Sequence, residues 1–292
     1  MGDCVTGMGA TSGATATGGR QCCLRPDEWI RYPPFGMALL QVRGLTRSFY
    51  GVHALNGVDL DVEAGTITGL IGPNGAGKTT LFNCVSGLIP PESGQVVFAG
   101  RDVTGQSPHR ITRLGLVRTF QIARGFPRLS VLENLMLYGA RQPGETLWKA
   151  VARPAAVGRR EADLRDRAAA VARRLNLGRV ANDPASALSG GQKKLLEIGR
   201  ALMTDPRLIL LDEPIAGVNP TLANEIAAHL ESLAGEGLTF LVIEHNMDMI
   251  ARLCRPVVVM TEGKRLAQGT FAEVAADPRV QAAYMGERQW AS

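Results

Sequence analysis

The sequence predicts an α/β fold organised around a phosphate-binding loop, and three observations carry that expectation. A short apolar strand at residues 66–71 runs through a glycine-rich loop into a helix that begins near Thr79. A second strand, "RLILLD" at 207–212, is apolar up to its end, where Asp212 and Glu213 stand together. Between the two, the text changes from strand-like alternation to helical spacing.

The elements follow in order. Residues 1–36 are rich in Gly, Thr and Ala, with "GATATGG" at 13–19. Such a segment buries too little apolar surface to offset the entropy of ordering, so a disordered tail is expected. Met37 begins the first patterned segment, which raises the secondary reading that the tail is an upstream extension of a chain that starts there. "ALLQVRGLTRSF" and "VDLDVEAGTITGLIG" read as strands, with a turn at 63–65, and "GQVVFAGRDV" as a shorter one after the turn at 90–94. Helices are expected at 131–138 and at 159–177, where Leu164, Ala168, Val171, Ala172 and Leu175 keep helical spacing. Ser189 opens another helix, with Leu195, Ile198 and Leu202 on its apolar face. A helix from Pro220 to about Leu233 and a strand at 238–244 come next. "PVVVM" and "KRLAQG" resemble a closing strand pair, followed by a capping box, Thr270 with Glu273, and a short helix near 280–284.

Bulk properties narrow the function classes. A chain of 292 residues with 45% hydrophobic content suits one large α/β domain or two small ones. No apolar run reaches the roughly eighteen residues a membrane helix needs, and no basic-then-apolar N-terminus marks a secretory signal. The five cysteines are scattered and show neither C-x-x-C spacing nor a disulfide framework, which points to a reduced, cytoplasmic setting. The net charge of +5 sits in the middle third: residues 101–174 hold fifteen basic and six acidic side chains, a surplus of nine. Such a block suits nucleic acid, an anionic membrane surface or an acidic partner, and equally a solvated helical face. Its aromatics are too few and too scattered for base-stacking platforms, so no nucleic acid is expected.

The loop carries the first chemistry. Gly72, Pro73, Asn74, Gly75, Ala76, Gly77, Lys78, Thr79 and Thr80 fit the pattern glycine, four residues, then Gly-Lys-Ser/Thr. Gly72, Gly75 and Gly77 let the backbone approach an anion, and the helix N-terminus turns its N–H groups toward a phosphate. Lys78 would reach the β- and γ-phosphates and the Thr79 hydroxyl would ligate Mg²⁺. A glycine-rich surface turn is the plain alternative, and the strand–loop–helix context argues against it. Asp212 is placed to hold the hydration shell of Mg²⁺ and Glu213 to polarise an attacking water. An acidic pair merely ending a strand is the competing reading, and it fails because phosphate sites lie at that edge of a sheet.

"LSGGQ" at 188–192 makes a second anion site: the Ser189 hydroxyl with the Gly190 and Gly191 N–H groups, followed by Gln192, at another helix N-terminus. One nucleotide held by the Gly72 loop has no need of it, whereas a second chain has. Here residues 39–286 resemble the ATP-binding subunits of ABC transporters. The resemblance implies a P-loop NTPase core with an antiparallel β subdomain and a helical subdomain inserted at about 122–200, all within 37–292. It implies two copies facing head to tail, each ATP lying between one copy's phosphate loop and the other's signature. Tyr50 then matches the aromatic that stacks on adenine, Gln121 the glutamine that contacts Mg²⁺ or water, and His245 the switch histidine. Catalysis would fall to Glu213, His245 and Gln121, and magnesium to Thr79, Gln121 and Asp212.

Asn219 stands where most of the family has Asp, which removes a charge while keeping a hydrogen-bonding group. That residue, "RTFQ", "LTFLVIEHNMDMI" and "DPRVQAAYMGE" resemble importers of branched-chain amino acids, and the insert at 140–170 resembles the larger of their two ATPases. The resemblance implies two membrane permeases, a second ATPase subunit, a binding protein, and a peripheral place on the cytoplasmic face of the membrane. A urea or amide importer would leave the sequence nearly unchanged. A lipopolysaccharide exporter ATPase differs in its Q-loop and Asn219 regions, and a soluble ABC ATPase acting on ribosomes or DNA usually has two cassettes, a coiled coil or zinc cysteines.

Overall fold

The structure, a computed structural model, describes residues 38–119, 126–139 and 154–288, with side chains over 38–119, 126–139 and 161–285. The expected tail at 1–36 and Gln121 lie outside the described residues. Two sheets organise the described chain. β1 (Ala38–Phe49), β2 (Val52–Glu63), β4 (Ser93–Phe98) and β5 (Arg101–Asp102) form an antiparallel sheet in the order β2-β1-β4-β5. β3 (Ile67–Ile71), β6 (Leu116–Arg118), β7 (Leu208–Asp212), β8 (Thr239–Ile243), β9 (Val257–Thr261) and β10 (Lys264–Gly269) form a second sheet, ordered β10-β9-β3-β8-β7-β6. All pairs in this sheet are parallel except β9 with β10.

The parallel strands explain their own sequences. β3, β7 and β8 are buried at all five positions, so they read as continuous apolar runs rather than alternations. Their side chains divide between two cores. Ile209, Leu211, Phe240 and Val242 face one side, with helices α3 (Val131–Leu137), α4 (Pro154–Arg174), α5 (Gly190–Leu202) and α6 (Pro220–Gly235). Leu208, Leu210, Leu241 and Ile243 face the other, with α1 (Lys78–Val85), α2 (Pro108–Arg113) and the antiparallel sheet. α7 (Met247–Leu253), α8 (Phe271–Ala276) and α9 (Pro278–Arg288) complete the order.

Helix ends follow local chemistry. Ser189 caps α5 through a reciprocal box with Gln192, and Thr270 caps α8 through one with Glu273. The helix expected at 159–177 spans Pro154–Arg174 and stops at Asn176, whose φ of 57° is left-handed. The Leu177 N–H returns to the Ala172 carbonyl and the Asn176 N–H to that of Arg173, which closes the last turn. Three elements were not expected from sequence: β6, α2 and α7. Each is seven residues or fewer, too short for periodicity to register.

Candidate nucleotide-binding site

The site lies at the carboxyl edge of β6, β7, β8 and β3, where an open α/β sheet places its ligands. The phosphate loop leaves β3 and ends at Gly77, the N-cap of α1, in a left-handed conformation with φ 95°. Two of its glycines are required by close backbone approach. A Cβ on Gly72 would meet the Met260 carbonyl oxygen at 2.1 Å, and one on Gly77 the Ala54 oxygen at 2.3 Å. Gly263 braces the loop from behind, its N–H donating to the Ala76 carbonyl at 3.2 Å and its carbonyl accepting from Asn56 N–H at 2.8 Å. The Lys78 ammonium is buried and donates to the Gly72 and Pro73 carbonyls at 2.6 and 2.9 Å, holding its charge inside the loop. Gly75 and Thr79 are exposed, so the Thr79 hydroxyl at the second helical position is open to a ligand.

Asp212 ends β7 and is 7% exposed. It accepts from Arg118 Nη2 at 2.9 Å, and Arg118 Nη1 donates to Asn83 Oδ1 on α1 while the guanidinium lies 5.6 Å from the Phe82 ring centroid. The sequence reading missed Arg118 and Asn83 because the ion pair joins residues far apart in the chain. Glu213 follows with φ 51°, left-handed and strained for a residue with a side chain. Three bonds over-determine that conformation: Glu213 N–H to Ile243 O at 2.9 Å, Ala216 N–H to Glu213 O at 3.2 Å, and Lys194 Nζ to Glu213 O at 3.4 Å. The last ties the Ser189 helix to the carboxylate loop.

His245 leaves β8, and its Nε2 stands 3.3 Å from Glu213 Oε1. The structure thus joins two of the predicted catalytic residues. Next to His245 in the chain stands Glu244, buried and likewise missed, although it follows the fully buried β8 just as Glu213 follows the fully buried β7. Burial pushes its carboxyl group up, and the bonds it accepts from the Ile215, His245 and Asn246 N–H groups pull it back.

The remaining predicted residues occupy three places. Tyr50 is wholly exposed on the β1–β2 turn with φ 49°, which excludes edge-strand packing as its role. Ser189 and Gly190 are exposed at the N-terminus of α5, while Gly191 is buried because the Leu222 side chain of α6 packs where its Cβ would be. Asn219 caps α6, its side chain accepting from Leu222 N–H at 2.9 Å.

A glycine loop with an internal lysine after β3, a carboxylate pair at the end of β7 with β8 between the two strands, and a second capped helix N-terminus define a phosphate-loop ATPase with a signature helix. Residues 55–216 match the family model described as ABC transporter. Residues 264–289 match that of the branched-chain amino acid ATP-binding cassette transporter. A probable branched-chain amino acid transport ATP-binding protein, LivG, of Archaeoglobus fulgidus is 40% identical over 86% of this chain and 96% of its own length. The high-affinity branched-chain amino acid transport ATP-binding protein BraF of Pseudomonas aeruginosa is 39% identical over 85% and 98%. Among solved structures, a nucleotide-free ATP-binding cassette from an ABC transporter aligns with a TM-score of 0.74 at 37% identity, covering 85% of this chain and 99% of that one. Another such cassette, in its ADP conformation, aligns with a TM-score of 0.74 at 35% identity, covering 86% and 99%. The chain belongs to the ABC transporter family as an ATP-binding subunit, and the enzyme class is ATPase. Among the described residues no helix is long and apolar enough to cross a membrane.

Proposed function

We propose that this subunit hydrolyses ATP at the Lys78 loop to drive import of branched-chain amino acids through two partner permeases. The observation that carries the catalytic part is the Glu213–His245 pair, 3.3 Å apart at the edge that holds Lys78 and Asp212. Glu213 accepts a hydrogen bond from the attacking water. The water oxygen bonds to the γ-phosphorus, the bond to the oxygen of the departing ADP breaks, and a water proton passes toward the Glu213 carboxylate. His245 holds Glu213 on one side and faces the γ-phosphate on the other, Tyr50 carries the adenine, and the Ser189, Gly190, Gly191 and Gln192 segment faces a second copy's ATP with Asn219 nearby.

The donor set suits Mg²⁺. Thr79 and Asp212 offer two oxygens, Gln121 is the third expected ligand, and no ready-made cluster of His, Cys, Asp and Glu exists among the described residues. Thr79 and Asp212, with Gln121, would hold the ion, which would supply positive charge to the phosphate chain.

The substrate class rests on the relatives' names and on the match at 264–289. A second ATPase subunit and a binding protein complete the proposed system, with residues 37–292 as its ATPase domain and 122–200 as the helical insert. The basic middle third would meet the permeases at the cytoplasmic surface. The test is Glu213→Gln: ATP turnover should fall by about 10²–10⁴-fold with ATP binding retained. Turnover near that of the unchanged protein would refute the catalytic assignment. Copurification of two polytopic permeases from detergent-solubilised membranes tests the transport assignment, and ribosomal or DNA-bound partners alone would overturn it.

A further inference from the structure

We propose that Glu244 is a positioning residue that locks the segment after Glu213 to the segment bearing His245, so that the two catalytic side chains meet. This rests on the Glu213–His245 reading and adds a residue to it.

The geometry is direct. Glu244 is 4% exposed at the end of β8. Its Oε1 accepts from the Ile215 N–H at 2.9 Å, and its Oε2 accepts from the His245 N–H at 3.2 Å. Ile215 lies two residues beyond Glu213, in the stretch that leads through Ala216, Gly217 and Val218 to the Asn219 cap of α6. One carboxylate thus clamps the loops leaving two adjacent parallel strands, the same two loops that meet at the Glu213–His245 contact. Both oxygens are taken up by backbone N–H groups, so its effect passes through the groups it holds.

The placement is costly and therefore specific. A carboxylate taken out of water beside another carboxylate is unfavourable, and the nearby Glu213 charge adds to the burial that pushes Glu244 upward. Backbone N–H donors offset that, and two of them come from different loops. A leucine would fill the volume without either bond. A glutamine keeps the shape yet offers one acceptor where two donors converge, so one N–H group then faces an amide N–H₂. The left-handed Glu213 backbone, itself held by the Ile243 carbonyl, is the element that shifts when the Ile215 bond is lost.

The experiment compares the full-length protein with Glu213→Gln, Glu244→Gln and the double variant, measuring ATP turnover against ATP concentration, equilibrium ATP binding and thermal melting. The expected result for Glu244→Gln is a kcat about 10- to 100-fold lower, with KM and ATP affinity within roughly threefold. The double variant should be no slower than Glu213→Gln, because Glu244 acts through the pair that Glu213 completes. Three results overturn the inference. Glu244→Gln could turn over like the unchanged protein while Glu213→Gln is impaired, which removes the clamp and leaves the catalytic assignment standing. Affinity, melting temperature and kcat could fall together, which is a structural role only. Glu213→Gln could remain active, which removes the underlying reading and the clamp with it. Should Glu244→Gln not fold, amide exchange in the unchanged protein decides: slow exchange at Ile215 and His245 is expected, and exchange as fast as in a free peptide overturns the clamp.

Discussion

Replacing Arg118 by Met isolates the electrostatics of the β6–β7 edge. The guanidinium is the one cationic group paired with Asp212 among the described ion pairs, and both side chains are about nine-tenths buried. Methionine keeps the stem against the Phe82 ring and removes the charge. Asp212 is then left in a poorly hydrated position without its partner, and breaking a buried pair from one side costs about 3–5 kcal/mol. The edge opens toward the phosphate loop, where water reaches, so the lower figure of about 3 kcal/mol applies, with about 1 kcal/mol more from the lost bond to Asn83. A domain of this size loses roughly 2–4 °C per kcal/mol, giving a fall of roughly 8–16 °C in Tm without nucleotide. Scanning calorimetry reads it. The Arg118→Met, Asp212→Asn double variant should recover much of the loss, because the orphaned charge is gone. A fall under about 2 °C, or a double variant as unstable as the single one, would refute the argument that this charge pairing sets the stability of the edge.

Two further outcomes follow from packing and from thiol chemistry. Gly191→Ala puts a Cβ 1.5 Å from Leu222 Cδ2, so α5 and α6 must give way at a cost of about 1–3 kcal/mol; Gly190→Ala meets nothing within 4 Å and should leave melting nearly unchanged, and Leu222→Ala should rescue the first variant. Burial pushes the Cys84 thiol up to about 11 and that of Cys254 to about 12, so at pH 8 iodoacetamide should label neither until the protein is denatured, as peptide mass mapping would report; prompt labelling of either in the folded protein contradicts its burial.

The parallel strands β3, β7 and β8 were legible because burial on both faces writes an uninterrupted apolar run, and the loop and signature because glycines and caps have fixed positions relative to a helix start. Ser189 and Thr270 were readable for that reason: each box is completed three residues on, within the local sequence. What stayed hidden is long-range pairing. Arg118 sits in a three-residue strand, and nothing near it in sequence announces a partner ninety-four residues away. Glu244 was overshadowed by the histidine beside it, although the argument applied to Asp212, a carboxylate closing an apolar strand, applies to it equally. The Gly191 contact with Leu222 depends on how two helices cross, which periodicity within either helix does not specify.

Two of the missed contacts, those of Arg118 and Glu244, share a physical cause with the catalytic geometry. A parallel sheet buried on both faces can satisfy its backbone along the strands, but at the carboxyl edge each strand releases its chain into a loop with unpaired N–H and C=O groups. Here that edge is closed by buried charged side chains rather than by apolar packing. Lys78 takes the Gly72 and Pro73 carbonyls, Arg118 joins Asp212 to α1, and Glu244 takes the Ile215 and His245 N–H groups. Lys78 closes its own loop, Arg118 and Glu244 each join segments far apart in the chain that apolar contacts would leave free to slide, and a half-satisfied member would cost more than an apolar substitute. The same directional bonds that make the edge expensive therefore hold Glu213 in a left-handed conformation, within 3.3 Å of His245, where carbon packing alone would not.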